Sequence, residues 1–322
     1  MSDYIIPAAA KSFCQIGQRD EQQDARFPDY DSPRTGERSF IVCDGVGGEL
    51  DGSIASSTVA RAFGDFMAGY ANPAYEFTQN DFRDALSFAY LRLLKAIGQR
   101  GSHMATTLTF LHLNARNALV AHMGDSRIYQ IRPKVGIVYR SSDHSLVNVL
   151  VHAGNLTPEE AIDHPKGNVI TRCMAYAEPG TEPSAADVLV ITDIAPGDYF
   201  LLCTDGVLHQ IDDTYLLELF SSDLSDDEKL AHLAHIAEPS SDNNTAIFVR
   251  IDDAPQTASA CGDTTPNEEV EYVRPSMPQA GPPRPADTCR LDIPNPEIQA
   301  VSPSNELPLH KKMASRLRTL LS

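Results

Sequence analysis

Two apolar segments far apart in the chain end alike: Ile41-Val42-Cys43 runs into Asp44-Gly45-Val46-Gly47-Gly48, and Leu201-Leu202-Cys203-Thr204 runs into Asp205-Gly206-Val207. Short apolar runs bounded by turn residues read as buried strands. Each such strand delivers a carboxylate to a sheet edge, followed by a glycine whose missing Cβ lets the backbone turn sharply and approach another group closely. A lone Asp-Gly after a strand is ordinarily only a turn. Two such ends, joined by Asp125 in Gly124-Asp125-Ser126-Arg127 and Asp242 in Asp242-Asn243-Asn244-Thr245, ask for more, because carboxylates gathered together repel. Hard divalent cations supply the counter-charge: aspartate oxygens, carbonyls and waters are the ligands Mg²⁺ and Mn²⁺ take. A pair of such ions can activate a shared hydroxide at neutral pH and screen a phosphoryl group. No serine or cysteine nucleophile is then required. Arg19, in Gln18-Arg19-Asp20-Glu21-Gln22-Gln23-Asp24, could grip a phosphate bidentately if it stood beside such a site. Taken alone, Arg19 reads as a surface arginine in an ion pair.

The rest of the pattern up to about residue 252 sets short apolar runs among helical ones. Ser39 to Cys43, Asp198 to Cys203, Arg127 to Arg132 and Thr245 to Ile251 read as strands, and Thr106 to Leu113 with Ala118 to Met123 as a hairpin around residues 114–117. Helices are expected at about 53–70, and at about 80–98, where Phe82, Leu86, Ala89, Leu93 and Ile97 recur at spacings of three and four. Shorter ones are expected at 145–153, 158–162 (with Thr157-Pro158 as cap and first position), 213–221 and 226–237. Sheet meanders bracketed by helix pairs indicate a layered α+β domain and not a parallel doubly wound one.

Composition narrows the function class. A formal charge of -18 argues against a nucleic-acid partner, whose binding depends on Lys and Arg neutralising phosphates. The acidic surface fits carboxylates reserved for cations, or simply a highly charged exterior. No run of eighteen apolar residues suggests a membrane span, and the N-terminal residues show no secretory pattern, so a cytoplasmic protein is the expectation. The six cysteines form no CxxC pair, and Cys43 and Cys203 lie in apolar runs as small hydrophobes.

After Asp253 the character changes. Eleven of the 22 prolines fall between Pro255 and Pro308. Residues 253–304 therefore read as a disordered linker that cannot bury enough apolar surface to offset its ordering entropy. In residues 305–322, Leu309, Met313, Leu317 and Leu321 recur every four positions among Lys311, Lys312, Arg316 and Arg318. That spacing suits a basic amphipathic helix for a protein partner or an anionic surface, with a frayed tail as the alternative.

The order of these elements resembles a known family. Arg19 and Asp24, Asp44-Gly45-Val46-Gly47-Gly48, Ala105-Thr106-Thr107, Gly124-Asp125-Ser126-Arg127, Asp143-His144-Ser145, Ile170-Thr171-Arg172, Thr204-Asp205-Gly206 and Asp242-Asn243-Asn244-Thr245 resemble, in register from about residue 10 to 252, the bacterial branch of the metal-dependent serine/threonine protein phosphatases of type 2C. The resemblance implies a four-layer α-β-β-α sandwich of two antiparallel sheets flanked by helix pairs. It implies that Asp44, the Gly45 carbonyl, Asp205 and Asp242 hold two Mn²⁺ or Mg²⁺ ions. Asp24 would be among the ligands or directly behind them, and Asp125 would share a third, weaker metal with Asp205. Arg19 would bind the substrate phosphate, and residues 146–169 would form a mobile flap. The activity implied is hydrolysis of phosphoserine and phosphothreonine in proteins by a hydroxide bridging the two ions, reversing a cognate protein kinase in signalling.

The departures from the family pattern fall on secondary positions. Val46 stands where many animal members carry a histidine proposed as general acid, which leaves a metal-bound water as the expected proton donor. Gln22 replaces an asparagine, and Ala105 and Ala175 replace glycines; none of these is an implied ligand. His144, in Asp143-His144-Ser145, reads as part of a polar cap on the helix that begins at Leu146, and His232 and His235 as surface positions. Two other functions fit the same residues: a phosphatase dedicated to one regulatory partner, which Arg19 disfavours because such relatives often lack it, and an inactive phosphoprotein-binding scaffold, which the retained Asp44, Asp205 and Asp242 disfavour.

Overall fold

A computed structural model of the protein describes residues 3–29, 36–46, 51–72, 74–98, 104–162, 164–175, 182–255 and 270–276. In chain order the strands are β1 (Ile6–Pro7), β2 (Lys11–Gln15), β3 (Asp24–Phe27), β4 (Ser39–Val46), β5 (Ala105–Thr106), β6 (Leu108–Leu113), β7 (Ala118–Met123), β8 (Arg127–Arg132), β9 (Gly136–Arg140), β10 (Met174–Ala175), β11 (Ala186–Ile191), β12 (Tyr199–Cys203), β13 (Asn244–Asp253) and β14 (Glu271–Val273). The α-helices are α1 (Asp51–Met67), α2 (Gln79–Gly98), α3 (Leu146–His152), α4 (Pro158–Ile162), α5 (Asp205–Leu208), α6 (Asp213–Ser221) and α7 (Asp226–Ala237).

The strands form two antiparallel sheets. One is six-stranded, ordered β1-β13-β12-β8-β9 with β2 also on β13; the other is eight-stranded, ordered β10-β5-β4-β6-β7-β11-β14 with β3 also on β4. Strand periodicity explains why they stack and are covered. In β4 and β12, Phe40, Val42, Phe200 and Leu202 meet between the sheets. Their neighbours in sequence point the other way: Ile41 and Cys43 pack with Phe63 of α1 and Leu86 of α2, and Leu201 and Cys203 pack with Phe220 of α6 and Leu233 of α7. A strand buried on both faces needs an unbroken apolar run, which is what both sequences carry. The α-β-β-α sandwich expected from the sequence is the observed architecture.

Local chemistry sets the element ends. Ser225 and Glu228 form a reciprocal capping box at the start of α7, and the Asp212 side chain accepts from the Tyr215 N–H at the start of α6. Between β5 and β6 the expected continuous strand breaks at Thr107, whose N–H is donated to the Asp44 carbonyl and whose Oγ1 accepts from the Asp44 N–H. His232 and His235 are exposed on α7, and Cys43 and Cys203 are buried and unbridged, as the sequence suggests.

Two expectations change. Residues 270–276 lie inside the stretch read as a disordered linker, yet β14 pairs with β11 in the register Ala186↔Val273, Asp187↔Tyr272, Val188↔Glu271. Val273 is fully buried in the core beneath α1 and α2, and the Ser276 N–H is donated to Ser87 Oγ on α2. A three-residue strand among prolines gives no periodic signal, and one apolar side chain in a ready slot suffices to seat it. The second change is His144: the cap of α3 is Ser145, whose Oγ accepts from the Asn148 N–H, while the His144 ring packs elsewhere. The basic tail at 305–322, the Gly47-Gly48 pair, Cys261 and Cys289 lie outside the described residues. Among the described residues no helix is long and apolar enough to cross a membrane.

Candidate active site

The two Asp-Gly strand ends lie at the same end of the sandwich, one from each sheet. Asp44 and Gly45 close β4, Asp24 opens β3 directly opposite Asp44, Asp205 opens α5 just after β12, and Asp242 precedes β13, the partner of β12. Asp125 sits in the turn from β7 to β8. The two glycines permit the convergence: a Cβ on Gly45 would lie 2.2 Å from the Gly52 carbonyl oxygen, and one on Gly206 only 1.9 Å from that of Asn243. No other residue fits at either place.

These residues surround a cavity of about 590 Å³ lined by Arg19, Asp20, Glu21, Gln23, Asp44, Gly45, Val46, Asp125, Asn168, Ile170, Asp205, Asp242 and Asn243. Of the sequence-predicted set, Arg19, Asp44, Gly45, Asp125, Asp205 and Asp242 reach the cavity; Asp24 lies behind it, its Oδ2 accepting from Thr204 Oγ1 at 3.0 Å. Arg19 donates from Nη2 to Asp242 Oδ2 at 2.7 Å and from Nε to the Ser241 carbonyl. The ion-pair reading of Arg19 is thus seen, and the pair stands at the rim of the pocket.

Polar side chains that the sequence motifs contain, but to which the sequence assigned no role, hold this arrangement. Asn243 donates to the Ile16 and Glu21 carbonyls and accepts from the Gln23 N–H, fastening the Arg19 loop to Asp242. Thr107 Oγ1 and Ser126 Oγ are 2.7 Å apart, linking the Asp44 strand to the Asp125 turn. Arg127 clamps Asp143 with two hydrogen bonds of 2.6 and 2.7 Å. The signal for the threonines was present as Ala105-Thr106-Thr107 and Thr204; what each one touches depends on strand pairing, which no local pattern encodes. Asn168, near the end of the 146–169 segment, is a pocket residue with no composition cue, and Ile170, just beyond it, was visible only as part of the Ile170-Thr171-Arg172 motif.

The electrostatics show what the pocket lacks. Burial, and after it the charges of neighbouring aspartates, pushes the Asp24 carboxyl up to about 7. Burial and then the charge of Asp205 push Asp125 up to about 7. Asp44 is raised well above the usual carboxylate range by burial and then by Asp24 and Asp205. Asp205 is raised by burial, partly offset by the nearby His209. The Oδ1 atoms of Asp24, Asp125 and Asp205 are buried with no hydrogen-bond partner. Buried polar atoms are ordinarily satisfied. An all-oxygen set with orphaned acceptors and disfavoured negative charge fits hard divalent cations, so the residues present suit the ions that the sequence implies.

Comparison with known proteins agrees with this geometry. The family model described as Protein phosphatase 2C matches residues 16–244. Protein phosphatase PhpP of Streptococcus pneumoniae is 34% identical over 230 residues, covering 68% of this chain and 88% of that protein. Serine/threonine protein phosphatase PstP of Mycobacterium tuberculosis is 30% identical over 199 residues, 60% of this chain and 36% of that one. Among solved structures, serine/threonine phosphatase Stp1 from Staphylococcus aureus superposes with a TM-score of 0.64 at 26% identity, covering 77% of this chain and 97% of that chain. With the fold, the pocket and the family match in agreement, the chain belongs to the protein phosphatase 2C family, the metal-dependent serine/threonine protein phosphatases.

Proposed function

We propose that the pocket described above is the phosphatase centre, with Asp44, the Gly45 carbonyl, Asp205 and Asp242 holding two Mn²⁺ or Mg²⁺ ions and Asp125 sharing a weaker third with Asp205. The observation that carries this reading is the set of buried, unpartnered carboxylate oxygens on Asp24, Asp125 and Asp205. Ions seated there supply an activated water and positive charge against the phosphate oxygens. Asp24 acts from behind: held by Thr204, it orients the strand ends beneath Asp44.

Arg19 performs the substrate-facing role. Its guanidinium is more than half exposed on the pocket rim, so it can turn one edge to an incoming phosphate while Asp242 holds the other. Asn243 fixes the loop that carries it. Val46 stands exposed at the pocket where a proton donor would be useful, and no histidine is among the described lining residues; protonation of the leaving oxygen therefore falls to solvent within the site. Residues 146–169 form the flap that closes over bound phosphoprotein, with Asn168 as its contact with the pocket and Ile170 lining the pocket just beyond it.

The substrates on this reading are phosphoserine and phosphothreonine proteins of the cytoplasm, made by a cognate kinase that the enzyme opposes. The phosphatase domain spans residues 1–252 with the edge strand at 270–276 added to it, and the basic segment at 305–322 serves a protein partner or an anionic surface. Hydrolysis of p-nitrophenyl phosphate and of a phosphothreonine peptide, compared with Mn²⁺, Mg²⁺ and chelator, tests the reading. Turnover that is lost with chelator and restored by either ion is the expected result; turnover indifferent to chelator would refute the metal assignment.

A further inference from the structure

A second polar cluster lies beside the pocket. His122, His144 and Asp187 bring ligand atoms within 4.8 Å of one another, which first suggests another cation site. The details argue otherwise. The two imidazoles stack at 4.5 Å and 15°, so their lone pairs lie in two nearly parallel, separated planes, a poor arrangement for meeting on one ion. Arg172 pairs with Asp187 Oδ1, and its Nη1 stands 3.2 Å from His144 Nε2. The cluster already holds a cation, the guanidinium.

What the cluster does is join two parts of the active site. The Gly124 N–H is donated to His144 Nδ1, and the His144 N–H to the Gly124 carbonyl, at 3.1 and 2.9 Å. With Nδ1 accepting, Nε2 of the neutral ring carries the proton and donates to Asp187 Oδ2 at 3.1 Å. The His144 carbonyl in turn accepts from both Thr171 N–H and Thr171 Oγ1. His144 therefore ties the turn that presents Asp125 to the root of the flap, where Ser145 bridges Ile170 and the Leu146 N–H is donated to Val169.

Arg172 is held from the other side by Tyr272. The guanidinium carbon lies 5.4 Å from the Tyr272 ring centroid, within range of a cation–aromatic contact. Tyr272 sits on β14, opposite Asp187 in the register, and β14 lies beyond the residues that the family model matches. Each remaining link is drawn by the strand pairing: Asp187, between Tyr272 on one side and His122 on β7 on the other, is the point where the added strand meets the sheet that carries the site.

We propose that β14 is a built-in positioning strand for the phosphatase site, acting through Tyr272, Arg172, Asp187 and His144 to fix the Asp125 turn and the flap root. Tyr272 is the positioning residue; it touches neither substrate nor ion. The inference rests on the aspartate pocket being the reaction site.

The test uses the full chain with Tyr272→Ala, Tyr272→Phe and, as a control on the same strand, Glu271→Ala. Tyr272 is 65% exposed, so removing its ring leaves the core untouched and the unfolding midpoint unchanged. The Mn²⁺ concentration for half-maximal hydrolysis of p-nitrophenyl phosphate should rise about two- to five-fold in Tyr272→Ala, the size of an exposed cation–aromatic contact, and return to normal in Tyr272→Phe. In metal-free protein, amide exchange at Gly124, His144 and Thr171 should quicken by a similar factor in Tyr272→Ala alone. Unchanged exchange and unchanged Mn²⁺ dependence in Tyr272→Ala would overturn the proposal, as would equal effects in Glu271→Ala or failure of Tyr272→Phe to rescue. If the unaltered protein showed no Mn²⁺-dependent turnover, the assignment of the pocket would fall, and the exchange measurement would still decide whether Tyr272 governs the turn.

Discussion

The aspartate pocket and the His144–Asp187–Arg172 cluster are neighbours with opposite electrostatics. In the pocket, carboxylates face one another with three buried oxygens unpartnered and their protons held far more tightly than usual. In the cluster, burial raises the Asp187 carboxyl but is outweighed by the His144 hydrogen bond and the charge of Arg172, leaving it below its ordinary value. The second arrangement is complete as folded. The first is complete only with added positive charge. Two acidic clusters in one domain thus separate, by asking whether each carboxylate has a partner, into a self-satisfied one and one proposed to bind cations.

The sharpest way to break that contrast is to remove a pocket carboxylate. Asp44→Asn or Asp205→Asn should lower Mn²⁺-stimulated hydrolysis of a phosphothreonine peptide by about a thousand-fold or more, since the ions lose a ligand. The same substitutions should raise the unfolding midpoint of the metal-free protein by relieving repulsion. Asp187→Asn should do the reverse, lowering the midpoint while leaving substantial turnover. A pocket mutant that lost stability without losing activity would merge the two clusters into one class. Arg19→Ala should lower kcat/KM by about 10- to 100-fold, the size of a lost charge-assisted hydrogen bond, with Arg19→Lys intermediate; steady-state kinetics on the same peptide read it.

Acidity separates the regions next. Carboxylates whose folded-state pKa is raised contribute stability that is present below their unfolded value and lost as pH rises through the folded one. For Asp24 and Asp125 that loss begins near the ordinary value of 3.8 and is complete just above 7. Asp187 acts in the opposite sense, losing its contribution only at acid pH, and the buried His122, held down to about 4 by burial and then by His144, costs stability as pH falls below its ordinary range. Metal-free protein should therefore lose roughly 2–4 °C in unfolding midpoint for each kcal/mol as pH rises from about 5.5 to 7.5, levelling off above that, and Mn²⁺ should abolish the loss. A midpoint that rises over this window without metal would contradict the pocket's electrostatics. The smallest effect on turnover belongs to the buried apolar anchor of β14: Val273→Ala should cost about 1–2 kcal/mol in chemical denaturation and change hydrolysis of p-nitrophenyl phosphate less than two-fold.

The same contrast explains what was legible in the sequence. Asp44-Gly45 and Asp205-Gly206 could be read because each sits at the end of an apolar run, where strand and turn chemistry coincide in a few consecutive residues. The long helices over Phe82 to Ile97 and over residues 53–70 followed from their spacing, and the two-sided burial of β4 and β12 from their unbroken apolar runs. The His144 hub was misread as a helix cap because Asp143-His144-Ser145 carries a capping residue, Ser145, and local chemistry could not show that the imidazole faces Gly124 and Asp187 instead. Strand β14 was missed for a related reason: its affinity lies in the open edge of β11 and the slot for Val273, not in its own composition. Asn243 and Thr204 fall between these cases, visible as residues but silent about their partners.

The pairing of β13 has a consequence for how the chain reaches this state. Strand β13 joins Gln15 to Asn244 and Ile6 to Asp253, so β1 and β2 have no partner in their sheet until β13, more than 200 residues later, has been made. Contacts this distant in sequence must be reached across a large loss of chain entropy, which places such topologies among slow folders. The Arg19 loop, which follows β2 directly, can take up its position beside Asp242 only after that late closure. If Arg19 has the role proposed for it, the grip on phosphate is among the last properties a newly synthesised molecule acquires.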